Sequence, residues 1–182
     1  MLQWPARVTD LCRLMADRAW SPGGVTEIDV VIGPTTGGVI LAYEVARQLG
    51  VRGIFAEVVG AADGMITREL RRGFEIRQRE KVLLVDDVVT TGASLAEMVP
   101  LIEAAGGELF LAIVLVDRTG ELSSVESPVT NQVYRAEALW SLSLATYEAG
   151  DGCPGCGEGR PIGTHEARRP SAHSPAQAPP PP

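Results

Sequence analysis

Hydrophobic residues along this chain follow two periods, and their alternation sets out the elements. Val8, Leu11, Cys12, Met15 and Ala19 recur at helical spacing, which predicts an amphipathic helix over Pro5–Trp20 with Pro5 as its first residue. Ser21-Pro22-Gly23-Gly24 then reads as a turn. Ile28–Ile32 is a short unbroken apolar run, as expected of a strand buried on both faces of a parallel sheet. A glycine-bearing turn, Gly33–Gly38, follows it and leads into a helix that stops at Gly50. Val51–Glu57 reads as a third strand element, weakened at Gly53, and Val82–Val85 as another buried strand. Leu95–Ala105 is helical, interrupted by Pro100 and closed by Gly106-Gly107. Glu108–Val116 returns to the strand pattern and ends in Asp117-Arg118. Trp140, Leu142, Leu144 and Thr146 alternate with Ser141, Ser143 and Ala145, which predicts a last strand there. The alternation of buried strands with helices implies an α/β fold, with a mainly parallel central sheet and helices on both faces.

Between these elements the composition shifts. Val58–Arg79 is polar, holds three glycines and carries Arg68, Arg71, Arg72, Arg77 and Arg79. Such a run is a mobile loop or an exposed hairpin. Flanked by two parallel strands, it crosses the sheet edge where ligands bind, so it is placed to act as a lid over a polyanion. From Thr164 to Pro182 the chain is rich in proline, alanine and serine, which predicts a disordered tail.

Composition narrows the chemistry. A length of 182 residues and a 45% hydrophobic content suit one globular domain with a substantial core. A net charge of −7 argues against general nucleic-acid binding. Lys81 is the only lysine, and both histidines, His165 and His173, lie in the tail, so the body has no imidazole for proton transfer. Three cysteines, with neither a signal peptide nor an apolar run of membrane-spanning length, point to the cytoplasm. Cys12 sits on the apolar helical stripe and reads as core rather than nucleophile. Cys153 and Cys156 form half of a zinc knuckle, to which His165 could add a ligand; a small turn with reduced thiols is the simpler reading.

The most informative stretch is Val82–Ser94, VLLVDDVVTTGAS. Asp86 and Asp87 fall at a strand's carboxyl end, where open α/β sheets place their ligands. Thr90–Ser94 supplies small residues, a glycine and free backbone N–H groups at a helix start, which suits a phosphate. Ser94 and Glu97 have capping-box spacing and predict that the helix begins there. The alternative is an ordinary βα junction with a solvated acidic pair. In Thr35–Gly38 the glycines let backbone amides approach an anion, although the same pattern also makes a plain tight turn.

The stretch resembles the binding motif for 5-phosphoribosyl pyrophosphate (PRPP) in type I phosphoribosyltransferases. With GPTTGG, FAE, LRRGF, VDR and CPGCGEGRPI in the same order, the chain from Val30 to Ile162 is similar to orotate phosphoribosyltransferases. The resemblance implies that Asp86 and Asp87 bind the ribose hydroxyls and that Val88, Val89, Thr90, Thr91, Gly92, Ala93 and Ser94 wrap the 5-phosphate. It implies a pyrophosphate loop at Thr35, Thr36, Gly37 and Gly38, contacts from Thr90 and Arg118 to orotate, Mg²⁺ held through PRPP, and a homodimer. The reaction implied joins orotate to ribose C1, giving orotidine 5′-monophosphate and pyrophosphate. In two respects the chain departs from that family. No lysine or histidine lies between Val51 and Glu80, so lid arginines, Arg71 and Arg72 foremost, would face the pyrophosphate. No N-terminal hood segment over the base is found, which suggests a phosphoribosyltransferase domain over residues 1–163 that is incomplete at its start. Two other functions remain open: a non-catalytic PRPP-binding regulator, and transfer to a purine base. Arg118 suits the purine poorly, because a purine brings no carboxylate.

Overall fold

The computed structural model describes residues 2–20, 27–60, 66–144 and 154–158. Two compact units divide the chain at Leu144/Ala145. In the second unit, the described residues hold one short helix over Pro154–Gly157. The proline-rich tail, Cys153 and Thr146 lie outside the described residues.

The first unit is built on a sheet of seven strands. They are β1 (Val30–Pro34), β2 (Arg52–Gly60), β3 (Ile66–Leu70), β4 (Lys81–Val89), β5 (Glu108–Asp117), β6 (Ser124–Glu126) and β7 (Val133–Ser141), in the order β3-β2-β1-β4-β5-β7-β6. The five inner strands run parallel, and β3 and β6 close the edges antiparallel. Side chains alternate across this sheet, and two separate apolar layers result. Val31, Leu83, Val85, Ile113 and Leu115 pack with helices α1 (Pro5–Ala19) and α2 (Gly37–Leu49). Val30, Ile32, Val82, Leu84, Ala112 and Val114 pack with α3 (Ala93–Ala104) on the opposite face. The register slips between Val82 and Leu83, opposite Leu109 and Leu111, so Leu109 joins one layer and Leu111 the other.

Helix α1 buries Val8, Cys12, Met15, Ala16 and Ala19, as its spacing predicts. Cys12 is fully buried; burial, then the nearby Glu44 charge, pushes its thiol up to about 12. A thiol at that value is unreactive at neutral pH. Native protein treated with iodoacetamide at pH 8 is therefore expected to carry no label on the Cys12 peptide by mass spectrometry, and denatured protein to carry a full one.

Several elements differ from the sequence reading. Helix α3 begins at Ala93 behind Gly92, whose φ of 81° places it in the left-handed region, and no side chain caps it. The expected capping box does not form, because both of its members bind elsewhere. Ser94 donates to Asp86 and Glu97 accepts from Arg68. The helix runs unbroken through Pro100 and closes at Gly106, where amides 106 and 107 donate to the carbonyls of Glu103 and Ile102.

The arginine-rich segment is largely ordered structure. β2 continues to Gly60 and pairs with β3 as a hairpin, with residues 61–65 outside the described set. Beyond Leu70 the chain is held to the body by buried Ile76 and by Phe74, whose ring meets Phe55 edge-on with centroids 4.9 Å apart. The last strand lies earlier than its alternation suggests. β7 ends at Ser141, and Leu142 and Leu144 continue only through single hydrogen bonds to the carbonyls of Asp117 and Arg118. Ahead of it, Ser127, Thr130 and Tyr134 all donate to Glu103, which pins the β6–β7 turn on α3.

Candidate active site at the switch point

β1 and β4 are neighbours, yet the chain leaves β1 toward β2 on one side and β4 toward β5 on the other. A cleft opens at the carboxyl ends of strands where the winding direction reverses in this way. Residues 35–38 follow β1 and residues 90–94 follow the end of β4, so both candidate phosphate loops arrive at one place.

The first of these loops lies against Asp87 of β4. A methyl group on Gly37 would stand 2.3 Å from Asp87 Oδ2, so the carboxylate lies against bare backbone and any side chain there would push it aside. Thr35 is anchored by its amide, which donates to the Ala56 carbonyl, and the Thr35–Thr36 peptide is cis. Neither α2, starting behind Thr36, nor α3, starting behind Gly92, has a side-chain cap. First-turn amides lack intrahelical acceptors, so two uncapped N-termini at one cleft form a strong anion-binding arrangement. Thr91 offers a single long contact, 3.4 Å from its Oγ1 to the Ala93 amide.

The two aspartates point to opposite faces of β4, as strand geometry requires. Asp86 turns toward α3 and is buried; one oxygen accepts the Asp87 amide at 2.9 Å and the other accepts Ser94 Oγ at 2.8 Å. Burial raises its pKa, opposed by the Ser94 and Asp87 hydrogen bonds. Asp87 is half-buried, accepts its neighbour Val88's amide at 2.8 Å and lines a cleft of about 560 Å³ with Leu2, Gln3, Val88, Leu115 and Val116. Val89 is buried at the end of β4, and exposed Thr90 begins the loop.

One strand over, Arg118 is exposed, and its amide donates to the Val89 carbonyl at 2.9 Å. The possible Asp117–Arg118 ion pair does not form. Asp117 is fully buried and accepts Thr119 N, Thr119 Oγ1 and the Leu122 amide. Burial raises its pKa, but these hydrogen bonds outweigh that and hold it below the ordinary carboxylate range. Among the described residues no ion pair engages Arg118.

The lid arginines are not gathered at the cleft. Arg71 pairs with Glu69 at 3.1 Å and Arg72 with Glu57 at 2.5 Å, both on the exposed surface. Arg68 instead turns inward and pairs with Glu97. Along β3 exposed Thr67 and Glu69 alternate with inward-turned Arg68 and Leu70, and the arginines around Arg68 leave the sequence no signal of it. No group of three or more histidine, cysteine, aspartate or glutamate side chains suited to a metal occurs among the described residues. Cys156 lies in the short Pro154–Gly157 helix.

Residues 1–143 match the phosphoribosyl transferase domain family. The chain is 42% identical over 162 residues to an orotate phosphoribosyltransferase of Caldicellulosiruptor saccharolyticus, covering 89% of this chain and 76% of that protein. It is 40% identical over 161 residues to the orotate phosphoribosyltransferase of Desulforamulus reducens, covering 88% and 75%. In fold it is similar to the adenine phosphoribosyltransferase of Giardia lamblia solved with 9-deazaadenine, with a TM-score of 0.58 and 22% identity over 77% of this chain and 82% of that one. Two candidate phosphate loops at a sheet's switch point thus sit in a chain that, by its sequence, belongs to the phosphoribosyltransferases, among the orotate phosphoribosyltransferases.

Proposed function

We propose that this protein transfers the phosphoribosyl group of PRPP to orotate, releasing pyrophosphate and forming orotidine 5′-monophosphate for pyrimidine synthesis. The observation that carries the proposal is the pair of uncapped helix starts following the neighbouring strands β1 and β4, with Asp87 against Gly37 at the first of them and Arg118 one strand over. A ligand with two phosphate groups flanking a polyol matches that spacing of donors and acceptor. The carboxylate anion of orotate matches the Arg118 guanidinium, which no ion pair engages among the described residues.

In the reaction a ring nitrogen of orotate forms a bond to ribose C1 as the C1–oxygen bond to pyrophosphate breaks, and the electron pair leaves on that oxygen. Positive charge develops on the ribose and negative charge on the leaving group. Amides of Thr36–Gly38 face the leaving group, the Thr35 amide being held by the Ala56 carbonyl, those of Thr90–Ser94 hold the 5-phosphate, and Asp87 accepts from ribose hydroxyls. Asp86 acts through Ser94, which it fixes at the start of α3. Thr90 contacts orotate and Arg118 forks onto its carboxylate. Arg71 and Arg72 are the cations for the pyrophosphate; the exposed pairs they now form cost at most about 1 kcal/mol to break.

Magnesium fits this donor set as an ion held mainly by substrate oxygens and water, because Asp86 has both oxygens engaged and Asp87 alone faces the cleft. When bound, Mg²⁺ neutralises charge on the pyrophosphate. A homodimer and a cytoplasmic location are carried over from the family. No helix among the described residues is long and apolar enough to cross a membrane.

The test is ultraviolet measurement of orotate loss with PRPP and Mg²⁺, with EDTA and adenine as parallel arms. Orotate consumption abolished by EDTA is expected. PRPP binding without turnover of any base would make the protein a silent binder, and turnover of adenine alone would make it a purine enzyme. Gly37→Ala provides a finer test. A helical Gly→Ala change is stabilising by up to about 1 kcal/mol in isolation, while here the methyl displaces Asp87. The expected result is an unchanged or raised melting temperature with kcat/KM for PRPP lowered about tenfold, equivalent to the loss of one ordinary hydrogen bond.

A further inference from the structure

Arg68 is the one arginine of the lid segment that leaves the surface. Its side chain is 8% exposed, and its Nε donates to Glu97 Oε2 at 2.9 Å, joining β3 to the first turns of α3. Its Nη1 is buried and has no hydrogen-bond partner. Glu97 stands one turn beyond Ser94, whose hydroxyl is bonded to Asp86. A continuous path therefore runs from the hairpin through Arg68, Glu97, α3 and Ser94 to the carboxylate at the end of β4.

As a stabilising device this arrangement is poor. A buried ion pair rarely outweighs its desolvation, and an unsatisfied buried N–H adds a further cost. We propose that Arg68 is a positioning residue for PRPP: it clamps the β2–β3 hairpin to the start of α3, so that Ser94 and the adjacent amides keep the geometry that receives the 5-phosphate. The inference rests on the PRPP reading of the site. Arg68 is also within electrostatic reach of Asp86, where its positive charge opposes the effect of burial. The hairpin root and the phosphate loop then move as one body. The clamp needs a positive charge with a directed N–H, which arginine supplies and methionine does not.

The experiment uses the full chain. In the double variant Arg68→Met with Glu97→Gln, the cavity stays filled and no carboxylate is left stranded, so stability and positioning separate. Isothermal titration with PRPP is expected to show Kd raised about tenfold, the lower end of what outer partners of a binding group contribute. The melting temperature and the KM for orotate should stay close to the parent's. Arg68→Lys, which keeps the charge, should recover part of the affinity. A folded double variant with the parent's PRPP Kd overturns the inference. If the double variant does not fold, Arg68→Lys decides, and a Kd equal to the parent's overturns it. A parent that fails to bind PRPP overturns the function itself and leaves the clamp no role.

Discussion

Asp87→Asn should lower kcat/KM for PRPP by about a hundredfold while the melting temperature stays within about 2 °C of the parent's. Asparagine keeps the size and one acceptor but loses the charge, and a charge-assisted hydrogen bond is worth about 1.5–3 kcal/mol, with about 2.7 kcal/mol being a hundredfold in rate. Asp87 is the aspartate with capacity to spare: among the described residues its carboxylate accepts from its own neighbour's amide, and it lies against Gly37 at the start of α2. Asp86 has one donor on each oxygen, both from the protein. Asp86→Asn can keep both bonds if the Ser94 hydroxyl turns to accept from the new amide, so its loss should be nearer tenfold. Steady-state kinetics on the two variants side by side check this. Equal losses would mean that both carboxylates reach the ribose, and an active Asp87→Asn would remove Asp87 from the site.

The parallel sheet and both candidate phosphate loops were legible in the sequence because their signals are local. Val82–Val85 is apolar throughout since the strand is covered on both faces, and Gly37 is a glycine because a carboxylate touches it. What stayed hidden depended on pairing between distant residues. Ser94 and Glu97 have the spacing of a capping box, yet tertiary partners on β4 and β3 take both side chains. Arg68 is indistinguishable in composition from Arg71 and Arg72, and only the pairing of β3 with β2 turns it inward. Strand β6 is three residues long, too short for any period to register. The Trp140–Leu144 alternation was real as a pattern but falls where the chain leaves the sheet. Trp140 and Ser141 still pair with Val116 and Asp117, whereas exposed Leu142 and Leu144 are held by two backbone bonds rather than a ladder.

Arg118→Ala is expected to raise the KM for orotate about fiftyfold and leave the PRPP Kd within twofold of the parent's. The position explains the selectivity. The backbone of Arg118 is bonded to Val89 and Leu144, so truncating the side chain leaves the loop in place, and among the described residues its guanidinium has no ion pair to forfeit. The loss is then the bidentate bond to the orotate carboxylate, about 2.3 kcal/mol within the range for charged hydrogen bonds. Arg118→Lys keeps the charge without the fork and should fall between the two. Initial rates at saturating PRPP with orotate varied, beside calorimetric titration of PRPP alone, separate base recognition from sugar recognition. Unchanged orotate kinetics in Arg118→Ala would move the carboxylate contact elsewhere. A matching loss of PRPP affinity would instead mean that Arg118 supports the Val88–Ser94 loop through Val89 and does not recognise the base.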